Sequence, residues 1–179
     1  MNRDDVTADH IELSEAQKNP ELRQEYLNTI DLGWARQYVS SVLYSPEMPS
    51  IARTEPHPEA KKGGKGHPST IVVGPHFFDP NFSTITDHTI AVSIIRDHEG
   101  KHAEDDFKNP SVFRNIPKYP SAHLIGEWRA FREQLRGFMR DLSHAPQAYK
   151  KSIKELMEEW RGYAQKETKQ RIKKDGHTG

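Results

Sequence analysis

Prolines divide this chain into segments and limit where helices and strands can run. Four of the 12 prolines stand where an apolar periodic pattern begins or ends: Pro20, Pro46, Pro110 and Pro146. A proline fits the first turn of a helix but breaks a helix interior, because it lacks an N–H and its ring clashes with the preceding turn. We therefore interpret the stretches between these prolines as separate units.

The first unit has the pattern of a helix. Asn19 is a suitable N-cap residue and Pro20 a suitable first helical residue. Apolar residues then recur at helical spacing up to Leu43. This pattern predicts one long amphipathic helix over 20–44. Residues 1–18 are polar, and we expect them to be flexible.

The stretch 45–69 is rich in turn residues. It contains five prolines, the pair Gly63-Gly64 and the lysines Lys61, Lys62 and Lys65. Clusters of this kind are typical of loops, and no strand precedes the glycines, as a phosphate-binding loop would need. We predict a long, locally basic surface loop, whose lysines could contact an acidic partner.

Only one segment is strongly β-like. Residues 70–73 are β-branched, and Gly74-Pro75 bounds them. A helix over 87–106 is predicted next, since Ile90 and Ile94 mark an apolar side.

Two further helices are predicted, over 121–143 and from Pro146 onward, and the polar end 166–179 is expected to be flexible. The predicted fold is therefore α+β, mostly helical, with a small β-sheet beside the helix at 87–106. A chain of 179 residues suggests a single domain, with a core over about 20–165.

Composition excludes several classes of function. There are no cysteines, so disulfides, thiolate metal ligands and a cysteine nucleophile are excluded. Lys+Arg and Asp+Glu are equal at 26 each, which gives no argument for a nucleic-acid or membrane partner. No apolar run approaches the ~18 residues of a membrane span, and the polar N-terminus is unlike a signal peptide. We expect a cytoplasmic protein, or a part of a larger exported effector.

The segment His98-Glu99-Gly100-Lys101-His102 carries the strongest chemical signal. On a helix, His98 and His102 lie one turn apart on one face, where both imidazoles can bind one metal ion. Glu99 lies at the flank of that face, where it can act as a general base on a water molecule. Two neutral nitrogens and one carboxylate at this spacing are typical of zinc-dependent hydrolases.

A catalytic zinc ion needs a third protein ligand and an open position. The candidates are Glu127, His123, Glu104, Asp105 and Asp106. The last three follow His102 too closely on the same helix. Glu127 shares a helix face with neighbouring apolar residues, and a carboxylate on that face needs a partner because burying an unpaired charge is costly.

The residues at 70–78, 98–102 and 127–134 together resemble small zincin-type metallopeptidase domains of the gluzincin kind, similar to those in bacterial polymorphic toxins. The resemblance covers about 70–143. It implies the zinc ligands His98, His102 and Glu127, with Glu99 as general base. It also implies a peptide or protein substrate, and for a toxin an immunity or inhibitor protein.

Some positions depart from that pattern. Thermolysin-like enzymes have an acidic residue four positions after the third ligand, and Phe131 stands there. Gly100 is unusual inside a helix, where it costs ~1 kcal/mol relative to alanine, and we expect it to allow close packing. Tyr119 and His123 are the candidates for stabilising an oxyanion.

We predict a zinc metallopeptidase from these features. Two alternatives remain open at this point. One is a non-enzymatic helical interaction module that uses the basic loop and the charged tail. The other is a degenerate or structural zinc site without turnover.

Overall fold

Helices pack against a small sheet in the computed structural model, which describes residues 11–81, 85–113, 121–140 and 147–175. The predicted fold class is confirmed: the architecture is α+β and mostly helical, with one three-stranded mixed sheet in the described part of the chain. No helix within these ranges is long and apolar enough to cross a membrane.

The three strands lie in the first half of the chain, and the described elements of the second half are helical. The elements in chain order are α1 (Leu13–Lys18), a 3-10 turn (Pro20–Leu22), α2 (Arg23–Asn28), a 3-10 turn (Gly33–Gln37), β1 (Val39–Tyr44), β2 (Ala52–Glu55), α3 (Pro58–Lys61), β3 (Ser69–Val73), a 3-10 turn (Pro75–Phe77), α4 (His88–Val92), a π-helical segment (Ser93–Glu99), α5 (Gly100–Lys108), α6 (Pro110–Phe113), α7 (Ser121–Arg140) and α8 (Gln147–Asp175).

The prediction of one helix over 20–44 is wrong. The chain leaves the helix after α2, and Gly33 takes a φ of 44°, which favours glycine over residues with a side chain. The Asp31 carboxylate accepts a hydrogen bond of 2.9 Å from the Gly33 amide and stabilises this turn. Val39 and Val42 then lie in β1, where β-branched residues pack well. The stretch 1–18, expected to be flexible, contains α1, which buries Leu13 and Ala16, and residues 1–10 lie outside the described part of the chain.

The stretch 45–69 is not a continuous loop either. It contains β2 and α3, and β2 pairs antiparallel with β3, while β1 pairs parallel with β3 on the other side. The order β1-β3-β2 makes β2 an edge strand of the described sheet. The predicted strand at 70–73 is confirmed as part of β3, but it occupies the centre of the sheet, with Ile71 and Val73 fully buried.

The predicted helix at 87–106 is confirmed as a continuous run from α4 through α5, here called the motif helix (88–108). Asp87 caps it, since its carboxylate accepts a hydrogen bond of 2.9 Å from the Ile90 amide. The segment Ser93–Glu99 is π-helical rather than α-helical. Segments of this kind are rare and occur often at functional sites, because they rotate the following side chains relative to a regular helix.

α7 packs against the motif helix and against α8. Gln134 joins all three, because its buried side-chain amide donates hydrogen bonds of 3.1 Å to the hydroxyls of Ser93 and Tyr149. The predicted helix at 121–143 agrees with α7 over 121–140, and 141–143 lie outside the described residues. α8 extends the helix predicted from Pro146 into the charged end, as far as Asp175.

Candidate metal centre

Two elements bring together three side chains that can bind a metal ion. His98 and His102 come from the motif helix, and Glu127 comes from α7. Each offers one ligand atom, and the three atoms all lie within 4.8 Å of one another. The His98 and His102 rings lie 5.1 Å apart between centroids and are steeply inclined, at 71°. The described residues contain no other group of three or more such side chains within this distance.

Each histidine of this group faces one oxygen of the Glu127 carboxylate. Nε2 of His98 lies 3.5 Å from Oε2 of Glu127, and Nε2 of His102 lies 3.4 Å from Oε1 of Glu127. Both distances exceed the 2.7–3.2 Å range that is typical of N–H···O hydrogen bonds. The two distances run to different oxygens of Glu127, and they place each imidazole beside the carboxylate. Two imidazoles and one carboxylate are also a known ligand set of catalytic zinc.

The carboxylate of Glu127 and the imidazole of His102 shift each other's pKa values. Burial raises the pKa of Glu127, but His102 and His98 outweigh it, so the net pKa lies well below its ordinary value. Burial lowers the pKa of His102, but the carboxylates of Glu127 and Glu99 outweigh it, so the net pKa is raised. In the metal-free protein, the carboxylate therefore favours a protonated His102. A divalent cation bound at this group would take the place of that proton.

Small residues allow the motif helix to approach its neighbours. A Cβ atom at Gly100 would lie only 2.6 Å from Cβ of Ala35, in the 3-10 turn Gly33–Gln37. A Cβ atom at Gly137 of α7 would lie 1.9 Å from Oδ2 of Asp97. The expectation that Gly100 serves close packing is therefore confirmed, and Gly137 serves α7 in the same way.

Asp97 fixes the start of the motif from inside the protein. Its carboxylate is fully buried and accepts hydrogen bonds from Arg96 Nε at 2.9 Å and from Trp34 Nε1 at 3.1 Å. A buried carboxylate needs such donors because an unpaired one would cost several kcal/mol. The network ties the turn before β1 to the π-helical segment, directly before His98.

Glu99 is held by the edge strand. The Thr54 hydroxyl lies 2.7 Å from Oε2 of Glu99 and 2.9 Å from the Glu99 carbonyl oxygen, and it can donate its single proton to either. Glu99 and Thr54 are both buried, at 6% exposure each. No hydrogen bond reaches Oε1 of Glu99 from the described residues. One carboxylate oxygen is thus held by Thr54, and the Glu99 residue lines a cleft.

The side chains of His98, His102 and Glu127, here called the metal group, lie in a cleft between β2, the motif helix and α7, here called the metal cleft. Its volume is about 360 Å³. Residues of all three elements line it: Ala52, Arg53, Thr54, His98, Glu99, His102, Asp105, Asp106, Ala122, His123, Gly126 and Glu127. This volume leaves space beside the three side chains for a small molecule or part of an extended chain.

The other residues singled out in the sequence have different positions. His123 lines the cleft, with Nδ1 4.0 Å from Oε1 of Glu127, and its side chain is 58% exposed. Tyr119 lies outside the described residues. Glu104 pairs with Lys101 and Lys108, and Asp105 pairs with Lys101 and Arg129, so both carboxylates are already engaged.

Two features of the site were missed from sequence. Thr54 stands in a stretch interpreted as a loop, and a lone threonine gives no signal of a contact 45 residues away. Phe131, four positions after Glu127, packs its ring against the His98 ring, with centroids 4.5 Å apart, and no sequence pattern indicated this contact.

Comparisons with known proteins give no relative: no family model, no curated protein and no solved structure matches the chain. The geometry of His98, His102 and Glu127 therefore supports a metal site by itself.

Proposed function

We propose that the chain is a zinc-dependent hydrolase that cleaves peptide bonds. The single observation that carries this proposal is the convergence of the three ligand atoms within 4.8 Å in a cleft that also contains Glu99. A purely structural zinc site is usually closed by four protein ligands. Among the residues that the structure describes, three side chains converge, and a cleft lies beside them.

The ligands in the proposal are His98, His102 and Glu127. A zinc ion held by them supplies a Lewis acid that polarises a substrate carbonyl and makes water a stronger acid. Glu99 then acts as the general base. Its Oε1 takes the proton from the attacking water and later delivers it to the leaving amine, while Thr54 holds Oε2.

The edge strand β2 gives the proposal its preference for peptides. A sheet edge offers unpaired N–H and C=O groups, and an extended peptide can pair with them as an added strand. β2 lines the metal cleft through Ala52, Arg53 and Thr54. The central strand β3 has a neighbour on both sides and offers no such edge.

His123 is the candidate for stabilising the oxyanion. Its ring lies at the cleft and contacts the ring of Trp160 on α8, with centroids 5.8 Å apart. An imidazole N–H can donate a hydrogen bond to a developing negative charge.

The resemblance to toxin domains also suggests an immunity or inhibitor protein as a partner.

A digestion experiment tests the proposal. Zinc-loaded protein is incubated with a defined mixture of peptides, and new termini are identified by mass spectrometry. We expect cleavage by the native protein and a loss of about 10²-fold or more in rate for Glu99→Gln, as for removal of a general base, with zinc retained. Glu158→Gln, an exposed acid of α8, is the control and should cleave normally.

Two outcomes count against the proposal. If Glu99→Gln cleaves peptides at the native rate, Glu99 is not the general base. If the native protein binds zinc but cleaves no peptide in the mixture, the site is a structural or degenerate one.

A further inference from the structure

A second pocket continues the metal cleft along β2. It has a volume of about 400 Å³ and is lined by Arg53, Thr54, Glu55, Pro56 and Lys61. Arg53 and Thr54 line the metal cleft as well, so the two pockets share a wall. That wall is the edge strand along which a peptide would bind. A chain that occupies the metal cleft and follows β2 therefore enters the second pocket.

The charge of the second pocket is positive. Lys61 forms no ion pair with any described residue, and Arg53 pairs only with Glu55, at 2.5 Å. The Arg53 side chain is still 60% exposed, so its guanidinium can accept a further partner. Two cations thus face one carboxylate. The neighbouring Lys62 differs, because it pairs with Glu59 at 2.7 Å and does not line the pocket.

The register of the sheet shows which groups face a bound strand. The Gly74 amide donates a hydrogen bond of 3.0 Å to the Ile51 carbonyl. Hydrogen-bonded pairs alternate with non-hydrogen-bonded pairs in an antiparallel ladder. The backbone N–H and C=O groups of Arg53 and Glu55 therefore form hydrogen bonds with β3. The backbone groups of Ala52 and Thr54 therefore point away from β3, toward the open edge.

An added strand would pair with these outward groups. The Thr54 side chain points to the motif helix, because it contacts Glu99, and the Arg53 side chain lies on the opposite face. Side chains of neighbouring strands on the same face lie about 4.5–5.5 Å apart at Cβ. The residue of the bound strand beside Arg53 is therefore directed to the second pocket, which Lys61 also lines.

We propose that the Arg53–Lys61 pocket is a specificity subsite for an acidic side chain, so that the substrates are extended segments with Asp or Glu at this position. This inference rests on the proposed function, because it assumes that the occupant of the cleft is a peptide. An aspartate or glutamate there pairs with Lys61 and shares Arg53 with Glu55. Glu55 then tunes the subsite by competing for the guanidinium.

A binding experiment tests the subsite without the need for turnover. Zinc-loaded Glu99→Gln protein selects from a random decapeptide library at about 0.15 M salt, where exposed charges are screened over about 8 Å, and the bound peptides are sequenced. We expect Asp or Glu to be enriched at one position. In the best peptide, replacing that acid by its amide should weaken binding about fivefold to tenfold, which is the effect of one cross-strand charge pair of about 1 kcal/mol or slightly more.

Variants assign the effect to the pocket. Lys61→Gln should remove most of the difference between the acid and the amide peptide, and Glu55→Gln should enlarge it. Lys62→Gln is the matched control, with the same charge change one residue away, and should leave the difference unchanged. Zinc content should stay the same in all these variants.

Three results would overturn the subsite: no peptide binds, the bound peptides show no acidic position, or Lys61→Gln and Lys62→Gln weaken binding equally. Its failure is distinguishable from that of the proposed function. Hydrolysis of peptides without an acidic preference contradicts the subsite alone. Acid-dependent binding through Lys61 without hydrolysis by the native protein supports the subsite and contradicts the peptidase.

Discussion

The Thr54 hydroxyl lies 2.7 Å from Oε2 of Glu99, and this contact joins the edge strand β2 to the motif helix. Both side chains are buried, so water does not replace the hydrogen bond readily. A glutamate side chain has three rotatable bonds, and fixing one of its oxygens limits where the other can point. The strand that would bind a substrate and the carboxylate that would activate water are thus held in one arrangement.

Thr54→Val should weaken both stability and activity. The substitution preserves shape but leaves the Glu99 acceptors without a donor, which costs about 1–3 kcal/mol. We expect urea denaturation to show this loss in the free energy of unfolding, and peptide hydrolysis to slow while zinc content is retained. Thr54→Ser keeps the hydroxyl and should recover most of both properties. Equal effects of valine and serine would show that the hydroxyl has no role.

Gly100→Ala should destabilise the protein although alanine favours helices. The added Cβ would lie 2.6 Å from Cβ of Ala35, and overpacking of this kind costs about 1–3 kcal/mol, more than the gain in helix propensity of ~1 kcal/mol. The control is Gly162→Ala in α8, where no atom lies within 4 Å of the added Cβ. That variant should be more stable by up to about 1 kcal/mol. The two free energies of unfolding should therefore change in opposite directions, and a shared sign would contradict the packing at Gly100.

The stability of the protein should fall at alkaline pH through Tyr149. Burial raises the pKa of Tyr149 from 10.0 to about 12. A raised pKa in the folded state stabilises the protein in full below pH 10, and this contribution is lost as the pH rises through about 12. Two pKa units correspond to at most about 2.7 kcal/mol. Between pH 9 and 12, Tyr149→Phe should lose less unfolding free energy than the native protein, and equal losses would show that Tyr149 does not titrate in this way.

The metal group was predictable because its signals are local. The spacing of His98 and His102 is a property of one helix, and Glu127 stood out because a carboxylate on an apolar helix face needs a partner. The structure brings these three side chains together as expected. The helical periodicity around Ile90 and within 121–140 was likewise sufficient to predict those elements.

The N-terminal half was less predictable because its structure depends on tertiary contacts. Tyr26 and Leu27 have helical spacing and do lie in a helix, but the same spacing continues by chance across Gly33 into a strand. β2 has only four residues and is stabilised by its pairing with β3, which no local pattern reveals. Thr54 is therefore part of the site only because the sheet places it there. The prediction of a single domain over 1–179 remains a prediction.

The zinc content of purified protein tests the central claim most directly. After dialysis against metal-free buffer, we expect about one zinc per chain in the native protein, as for a three-ligand catalytic site, and almost none in His98→Ala, His102→Ala or Glu127→Ala. His67→Ala is the control: His67 stacks on His57, with ring centroids 4.8 Å apart, and lies outside the metal group, so its zinc content should be native. A native protein that binds no zinc, or a Glu127→Ala protein that keeps it as firmly as the native one, would contradict the account.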